Sequence, residues 1–239
     1  MDRTDTVVVI GGSSGMGLAV ARRCLADGAS VVIAGRSSER LDAARSELGH
    51  DRVDVHPVDI GDRDEVAALF EQVGQLRHLV VTAADLPYGR VLTLTEADVM
   101  RGVRTKLLGP IFAIQHAAPR MTAGGSVTLT SGIAAYRPIP GGSVAASVNG
   151  AIESMVRALA LELAPIRINA VSPGWVDTPV WDGIATGEAK QARFAEMGAR
   201  LPAGRIGAPA DIANAVAFLM QDDFVTGTVL HSEGGQLLV

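Results

Sequence analysis

The chain has 239 residues, 48% hydrophobic, 20% charged and 4% aromatic, with 27 glycines. That mixture excludes disordered, collagenous and coiled-coil proteins and is long enough to bury a sizeable core in one globular unit, expected to span 1–239. The net charge of -5, with Lys and Arg scattered, offers no basic stripe for nucleic acid, and the single Cys24 with no closely spaced histidines excludes a disulfide framework and a zinc signature. The N-terminal stretch is acidic ahead of a very short apolar run, unlike a signal peptide. Nothing approaches the ~20 apolar residues of a membrane span, so a soluble cytoplasmic protein that binds neither membrane nor metal is expected.

The first β-branched run, at 7–10, leads into Gly11-Gly12-Ser13-Ser14-Gly15-Met16-Gly17 and a helix over about 15–27. In this G-x-x-x-G-x-G spacing Gly11 permits a tight turn, Gly15 lets the backbone approach a pyrophosphate, and Gly17 allows close helix–strand packing, with helix N-terminal amides facing the anion. The second run, 31–33, ends in Ala34-Gly35-Arg36-Ser37 before a helix over about 38–48. An acid at this strand end would bind both ribose hydroxyls of NAD. Gly35 and Arg36 stand there instead, and Arg36 with Ser37 can take a 2′-phosphate by charge-assisted hydrogen bonds, so NADP(H) is the expected cofactor.

The third run, 53–55, is followed by Val58-Asp59-Ile60 and a helix over about 62–73, and the fourth, 79–81, by Thr82-Ala83-Ala84 and a long helix over about 95–122. The fifth, 127–129, ends in Thr130-Ser131-Gly132, an irregular stretch at 132–142 and a helix over about 143–163. The sixth, 166–168, continues into Asn169-Ala170-Val171-Ser172-Pro173-Gly174 and a second irregular stretch, roughly 173–208; a helix over about 209–220 and a seventh run at 229–230 close the pattern. Seven mostly apolar strands separated by helical segments predict an α/β, doubly wound (Rossmann) parallel sheet with helices on both faces. In such sheets ligands bind at the carboxyl edge, which makes the two irregular stretches candidate substrate walls.

These motifs, together with Thr178 in Pro-Gly-x-x-x-Thr, the run 205–209, Thr226-Gly227 and Glu233-Gly234-Gly235, resemble the short-chain dehydrogenase/reductase family over nearly the whole chain. The resemblance implies a nicotinamide cofactor, a small carbonyl or alcohol substrate, and a homo-oligomer built through the paired helices at 95–122 and 143–163. It implies that Asp59 holds the adenine and that Val171, Pro173 and Thr178 border the nicotinamide. Ser13, Ser14, Met16, Ile60, Ala83, Gly174 and Val176 complete the expected cofactor-binding set.

The chain departs from the family pattern in places. Val81-Thr82-Ala83-Ala84 stands where Asn-Asn-Ala-Gly is usual and Ile10 where Thr is usual, trading polar ties for apolar packing. The family uses an Asn, a Ser, a Tyr and a Lys, and of these Ser131 alone is in place. Aligning the helix on 150–154 puts Ala145 at the Tyr position and Asn149 at the Lys position; a shift by one residue gives Val144 and Val148, equally without Tyr and Lys. The Asn position holds Lys106, so either Lys and Asn have exchanged between 106 and 149, restoring an ammonium near the ribose, or Lys106 is a solvated helix residue. Tyr88 and Tyr136 are the candidate replacement acids, with loop packing as the other reading of each. Trp175 and Trp181 either wall a substrate or pin the 173–208 stretch. Two functions stay open: an NADP(H)-dependent oxidoreductase with an atypical site, or a non-catalytic NADP(H)-binding subunit or sensor.

Overall fold

The molecule is described from a computed structural model covering residues 5–183 and 186–239. Parallel strands β1 (Thr6–Ile10), β2 (Ser30–Gly35), β3 (Val53–Pro57), β4 (Leu76–Val81), β5 (Met121–Thr130), β6 (Arg167–Pro173) and β7 (Val229–Ser232) form one sheet in the order β3-β2-β1-β4-β5-β6-β7. Alternate residues of a strand face opposite sides. In β1, Val8 and Ile10 therefore enter one core with Phe70, Ala113 and Ile152, while Val7 and Val9 enter the other with Val20, Leu41 and Ile212. Burial on both faces is why β1 and β2 read as apolar runs, whereas the edge strands β3 and β7 are partly exposed.

Helices α1 (Gly15–Ala26), α2 (Ser38–Leu48) and α8 (Pro209–Gln221) contribute to the second core. Helices α3 (Arg63–Val73), α5 (Gly109–Ala117) and α6 (Ser143–Glu162) contribute to the first. Asp62 caps α3 by accepting from the amides of Asp64 and Glu65, and Thr95 with Asp98 forms a reciprocal cap at α4 (Glu96–Val103).

The expected helix at 95–122 is divided. After α4 a π-helical turn, Arg104–Leu108, precedes α5, a 3₁₀ turn spans Ala118–Arg120, and Met121 already belongs to β5. The stretch 173–208, expected to be irregular, contains a 3₁₀ turn at Pro179–Gly183 and α7 (Gly187–Arg200). A short 3₁₀ turn, Ile133–Ala135, lies in 132–142.

Contrary to the expectation that nothing approaches a membrane span, Ser143–Glu162 is long and apolar enough to cross one by length and composition, with a mean hydropathy of 1.2. Burial of one face accounts for part of this composition, while Ala158 and Leu161 on the other side are exposed. Val144, Val148, Ile152 and Val156 lie on the buried face together with Asn149 and Glu153, two polar groups whose burial requires partners.

Candidate active site

From β1 the chain runs outward through β2 and β3, then returns to the other side of β1 with β4. The connections after β1 and β4 diverge and leave a crevice at the carboxyl ends of these strands. Here lies a cleft of about 270 Å³ lined by Gly11, Ser13, Ser14, Gly15, Met16, Gly17, Arg36, Asp59, Ile60, Ala83 and Thr178, with Arg40, Asp85 and Thr105 as further lining residues.

The glycine turn fits a dinucleotide. A Cβ on Gly11 would meet the Ala83 amide nitrogen at 2.5 Å, and one on Gly17 the Gly11 carbonyl oxygen at 2.1 Å, so the turn closes against β4 and α1 without room for side chains. Gly11 and Gly15 have φ of 95° and 53°, which favours glycine. The N-cap Ser14 makes no side-chain capping bond, and the first turn of α1 contains no acid, so the amides and helix dipole face the cleft without a competing carboxylate of that turn. Gly35 leaves open the space where an acid would stand, since its Cβ would reach only the Ser13 side chain, at 3.4 Å.

Several of the expected cofactor residues have other partners in the structure. Arg36 is held in an ion pair, its Nη1 2.9 Å from Asp85 Oδ2, and Asp85 also faces Arg101 at 3.4 Å. Ser37 is absent from the cleft lining, because its hydroxyl caps α2 by accepting from the Arg40 amide at 3.3 Å. Asp59 lines the cleft, yet its Oδ1 accepts from the Gly61 amide at 2.9 Å. Pro173, Gly174 and Val176 also lie outside the lining: Pro173 pairs with Ser232 in the sheet, Gly174 abuts Glu233, and Val176 is buried in the core beneath α1 and α8. Thr82 keeps a polar tie that the apolar reading of 81–84 overlooked, donating to the Gly11 carbonyl at 3.2 Å.

Ser131 stands at the end of β5, 4% exposed. Its Oγ donates to Glu153 Oε1 at 2.7 Å and lies 3.3 Å from the Asn149 carbonyl oxygen. Tyr136 Oη donates to the other carboxylate oxygen, Oε2, at 2.5 Å. Glu153 is thus the residue that sequence reasoning missed; one helical turn beyond Asn149, it served only to align the helix. The hydrogen bond from Tyr136 to Glu153 raises the tyrosine pKa, with partial burial and the carboxylate charge adding to the effect. Tyr88 is half-exposed, and among the described residues it is Tyr136 that joins the serine.

Lys106 resolves against the solvated reading. It sits in the π-helical turn, buried, with Nζ 3.4 Å from the Ser131 carbonyl oxygen, and desolvation lowers its pKa to about 8. Among the described residues no carboxylate pairs with it. Asn149 Oδ1 is likewise buried without a hydrogen-bond partner among them, and Ala145 is fully buried. The structure therefore brings Lys106, Ser131, Asn149 and Tyr136 together, and among the described residues Tyr88, 51% exposed, makes no hydrogen bond to them.

Trp175 and Trp181 stack with ring centroids 4.3 Å apart. Trp181 donates to the Val176 carbonyl at 2.9 Å, and the Arg193 guanidinium lies over both rings. They pin the segment after β6 by packing, and Trp175 also lines a neighbouring pocket with His231 and Glu233.

A family model described as Enoyl-(Acyl carrier protein) reductase matches residues 11–236. The chain is 36% identical to the short-chain dehydrogenase/reductase ATR9 of Stachybotrys chlorohalonatus, over 99% of this chain and 98% of that protein. Among solved structures, MalC reductase/Diels-Alderase of Malbranchea aurantiaca superposes with a TM-score of 0.92 at 31% identity, covering 99% of this chain and 98% of that one. A small-chain dehydrogenase in complex with NADPH gives 0.82 at 33% identity, covering both chains fully. Fold and cleft define a dinucleotide-binding α/β protein of the oxidoreductase class. The chain belongs to the short-chain dehydrogenase/reductase family, whose members bind nicotinamide cofactors and act on small molecules.

The buried ammonium has a measurable consequence. The folded chain releases the Lys106 proton near pH 8, whereas the unfolded chain holds it to about 10.5, so the unfolded state binds more protons between these values and this group's contribution to stability rises with pH across that window. Lys106→Met should therefore stabilise the fold at pH 7 by up to about 3 kcal/mol, the advantage fading by pH 10.5. Urea unfolding of both proteins at pH 7, 9 and 10.5 checks this; a difference independent of pH would show that the ammonium is solvated.

Proposed function

We propose that the protein is an NADP(H)-dependent oxidoreductase that transfers a hydride to or from a small carbonyl or alcohol, working as one dinucleotide-binding unit with an atypical catalytic set. The observation that carries this reading is the Lys106 ammonium buried against Ser131 at the carboxyl edge of the sheet, where the family positions its substrate. The NADPH complex of a structural neighbour supports the cofactor.

In this reading the amides of the first turn of α1 hold the pyrophosphate, Arg36 holds the 2′-phosphate, and Asp59 and Ile60 border the adenine. Ala83 and Thr178 line the nicotinamide end, where the bound cofactor supplies or accepts the hydride. The buried Asn149 Oδ1 would accept from a ribose hydroxyl, giving that orphaned atom a partner. Ser131 aligns the substrate oxygen, and Lys106 supplies the positive field that favours negative charge on that oxygen. We assign Tyr136 in preference to Tyr88 as the tyrosine of the site. The protein is assigned to the cytoplasm and to a homo-oligomer through the faces of α4, α5 and α6, where Leu161 is 86% exposed; a monomeric mass at micromolar concentration in sedimentation would remove that assembly.

Ala145 and Asn149 favour the second reading, a non-catalytic NADP(H)-binding subunit or sensor. NADPH oxidation with a panel of aldehydes, ketones and quinones discriminates the two: turnover supports the enzyme, and binding without turnover supports the subunit. In cofactor titrations NADP(H) should bind more tightly than NAD(H), and Arg36→Asp should reverse that order by replacing attraction with repulsion. Because Asp85 competes with a 2′-phosphate for Arg36, Asp85→Asn should tighten NADPH binding by about two- to fivefold and leave NADH nearly unchanged. Equal affinities of wild-type protein for both cofactors would reject the Arg36 assignment.

A further inference from the structure

The carboxylate of Glu153 lies on the buried face of α6, one turn from Asn149, and both of its oxygens are engaged. One accepts from Ser131, itself 4% exposed, and the other from Tyr136, whose ring is 47% exposed. The three groups form one continuous line of hydrogen bonds from solvent to the serine.

The direction of the serine proton is what the carboxylate controls. A hydroxyl has one hydrogen. When Glu153 is ionised, that hydrogen points at Oε1, and Ser131 can offer a substrate carbonyl only lone pairs. When Glu153 carries a proton on Oε1, it donates to Ser131 Oγ, and the serine hydrogen turns from the carboxylate to the Asn149 carbonyl, 3.3 Å away, or to a substrate carbonyl that displaces this long contact. We infer that Glu153 is the positioning residue that sets the Ser131 proton and passes protons between Tyr136 and Ser131 during carbonyl reduction or alcohol oxidation. This rests on the oxidoreductase reading and deepens it.

The step balances. In reduction, the carbonyl carbon takes a hydride and its two electrons from the reduced nicotinamide, while the carbonyl oxygen takes the Ser131 proton. As the serine O–H bond breaks, the proton on Oε1 of Glu153 moves to Oγ. Tyr136 Oη then passes its proton to Oε2 as it takes one from water in the same step, and rotation of the carboxyl group about its Cγ–Cδ bond returns the protonated oxygen to Ser131 for the next turnover. The net change is one hydride and one solvent proton added to the carbonyl. Oxidation of an alcohol runs the line in reverse and requires Glu153 ionised at the outset.

The charged and titratable surroundings are few. Lys106, from the π-helical turn, lies on the carbonyl side of Ser131. Arg157, one turn further along α6, acts on Tyr136 electrostatically, and the His231 ring at the end of β7 meets the Tyr136 ring edge-on at 5.1 Å. Helix α4 meets α6 at Gly102 and Val144, more than two turns from Glu153, and its Arg101 and Asp98 are paired with each other. In β6, Arg167 is turned to the carbonyls of Leu219 and Met220.

The test compares wild type, Glu153→Gln and Glu153→Asp, each first shown to bind NADPH and to unfold cooperatively. Gln keeps a donor toward Ser131 and cannot relay a proton. For wild type, the reductive rate should fall as pH rises, and this fall should be absent from Glu153→Gln. Glu153→Gln should lose about 100-fold in rate at the acid end together with the pH dependence, and Glu153→Asp should restore part of both. A Glu153→Gln enzyme with wild-type rate and pH profile overturns the relay and leaves the oxidoreductase reading standing. A wild type inactive with every carbonyl tested removes that reading and the relay with it.

Discussion

Everything at the carboxyl edge of this sheet depends on how closely three pieces of backbone meet at the end of β1. The Gly11 carbonyl lies where a Cβ of Gly17 would be, the Ala83 amide lies where a Cβ of Gly11 would be, and the Thr82 hydroxyl ties β4 to the same turn. Contact between backbone atoms cannot be relieved by rotating a side chain. Substituting either glycine must move α1 away from the sheet or β4 away from β1, and both movements open the crevice that the amides of α1 face. Core packing, the helix end and the cleft are consequently one structural commitment.

A second level of organisation is polar and lies deeper. Lys106, Asn149 and Glu153 are all buried, on two neighbouring helical segments that converge on Ser131. Burying an ammonium beside a single long carbonyl contact costs stability, as its lowered pKa records. The π-helical turn widens the helix where Lys106 enters the interior, and such widenings commonly mark functional positions. An apolar residue would pack there at lower cost, so the polar group is more readily understood through what it does to Ser131 than through what it adds to the fold.

Much of this was legible in the sequence, and the exceptions share a physical cause. Strands such as β1 and β2 were visible because burial on both faces leaves apolar runs, and the glycine turn because its steric demands admit no other residue. Helix α7 escaped notice because its inward face is narrow, with Phe194 and Met197 half-buried and Gly198 buried among the described residues, so its apolar period is short and set among charged residues. The division of 95–122 escaped because the π-helical turn Arg104–Leu108 contains neither glycine nor proline to break the helical pattern, although Pro110 at the start of α5 was a usable signal. Asp85 and Glu153 were out of reach for a different reason. Asp85 meets Arg36 across 49 positions, and Glu153 meets Ser131 across 22 and Tyr136 across 17, so their roles exist only once the chain has folded.

The paired indoles carry one more consequence. The chain has two tryptophans, and both belong to the stacked cluster with Arg193 and Phe194 that pins the segment after β6. Excited at wavelengths that tyrosine does not absorb, the protein therefore emits from this segment alone, and the sheet is optically dark. Emission from stacked indoles responds to small changes in ring separation and in the position of the cation above them. The molecule thus carries a built-in optical gauge on the segment that borders its cleft, separate from any signal of global unfolding.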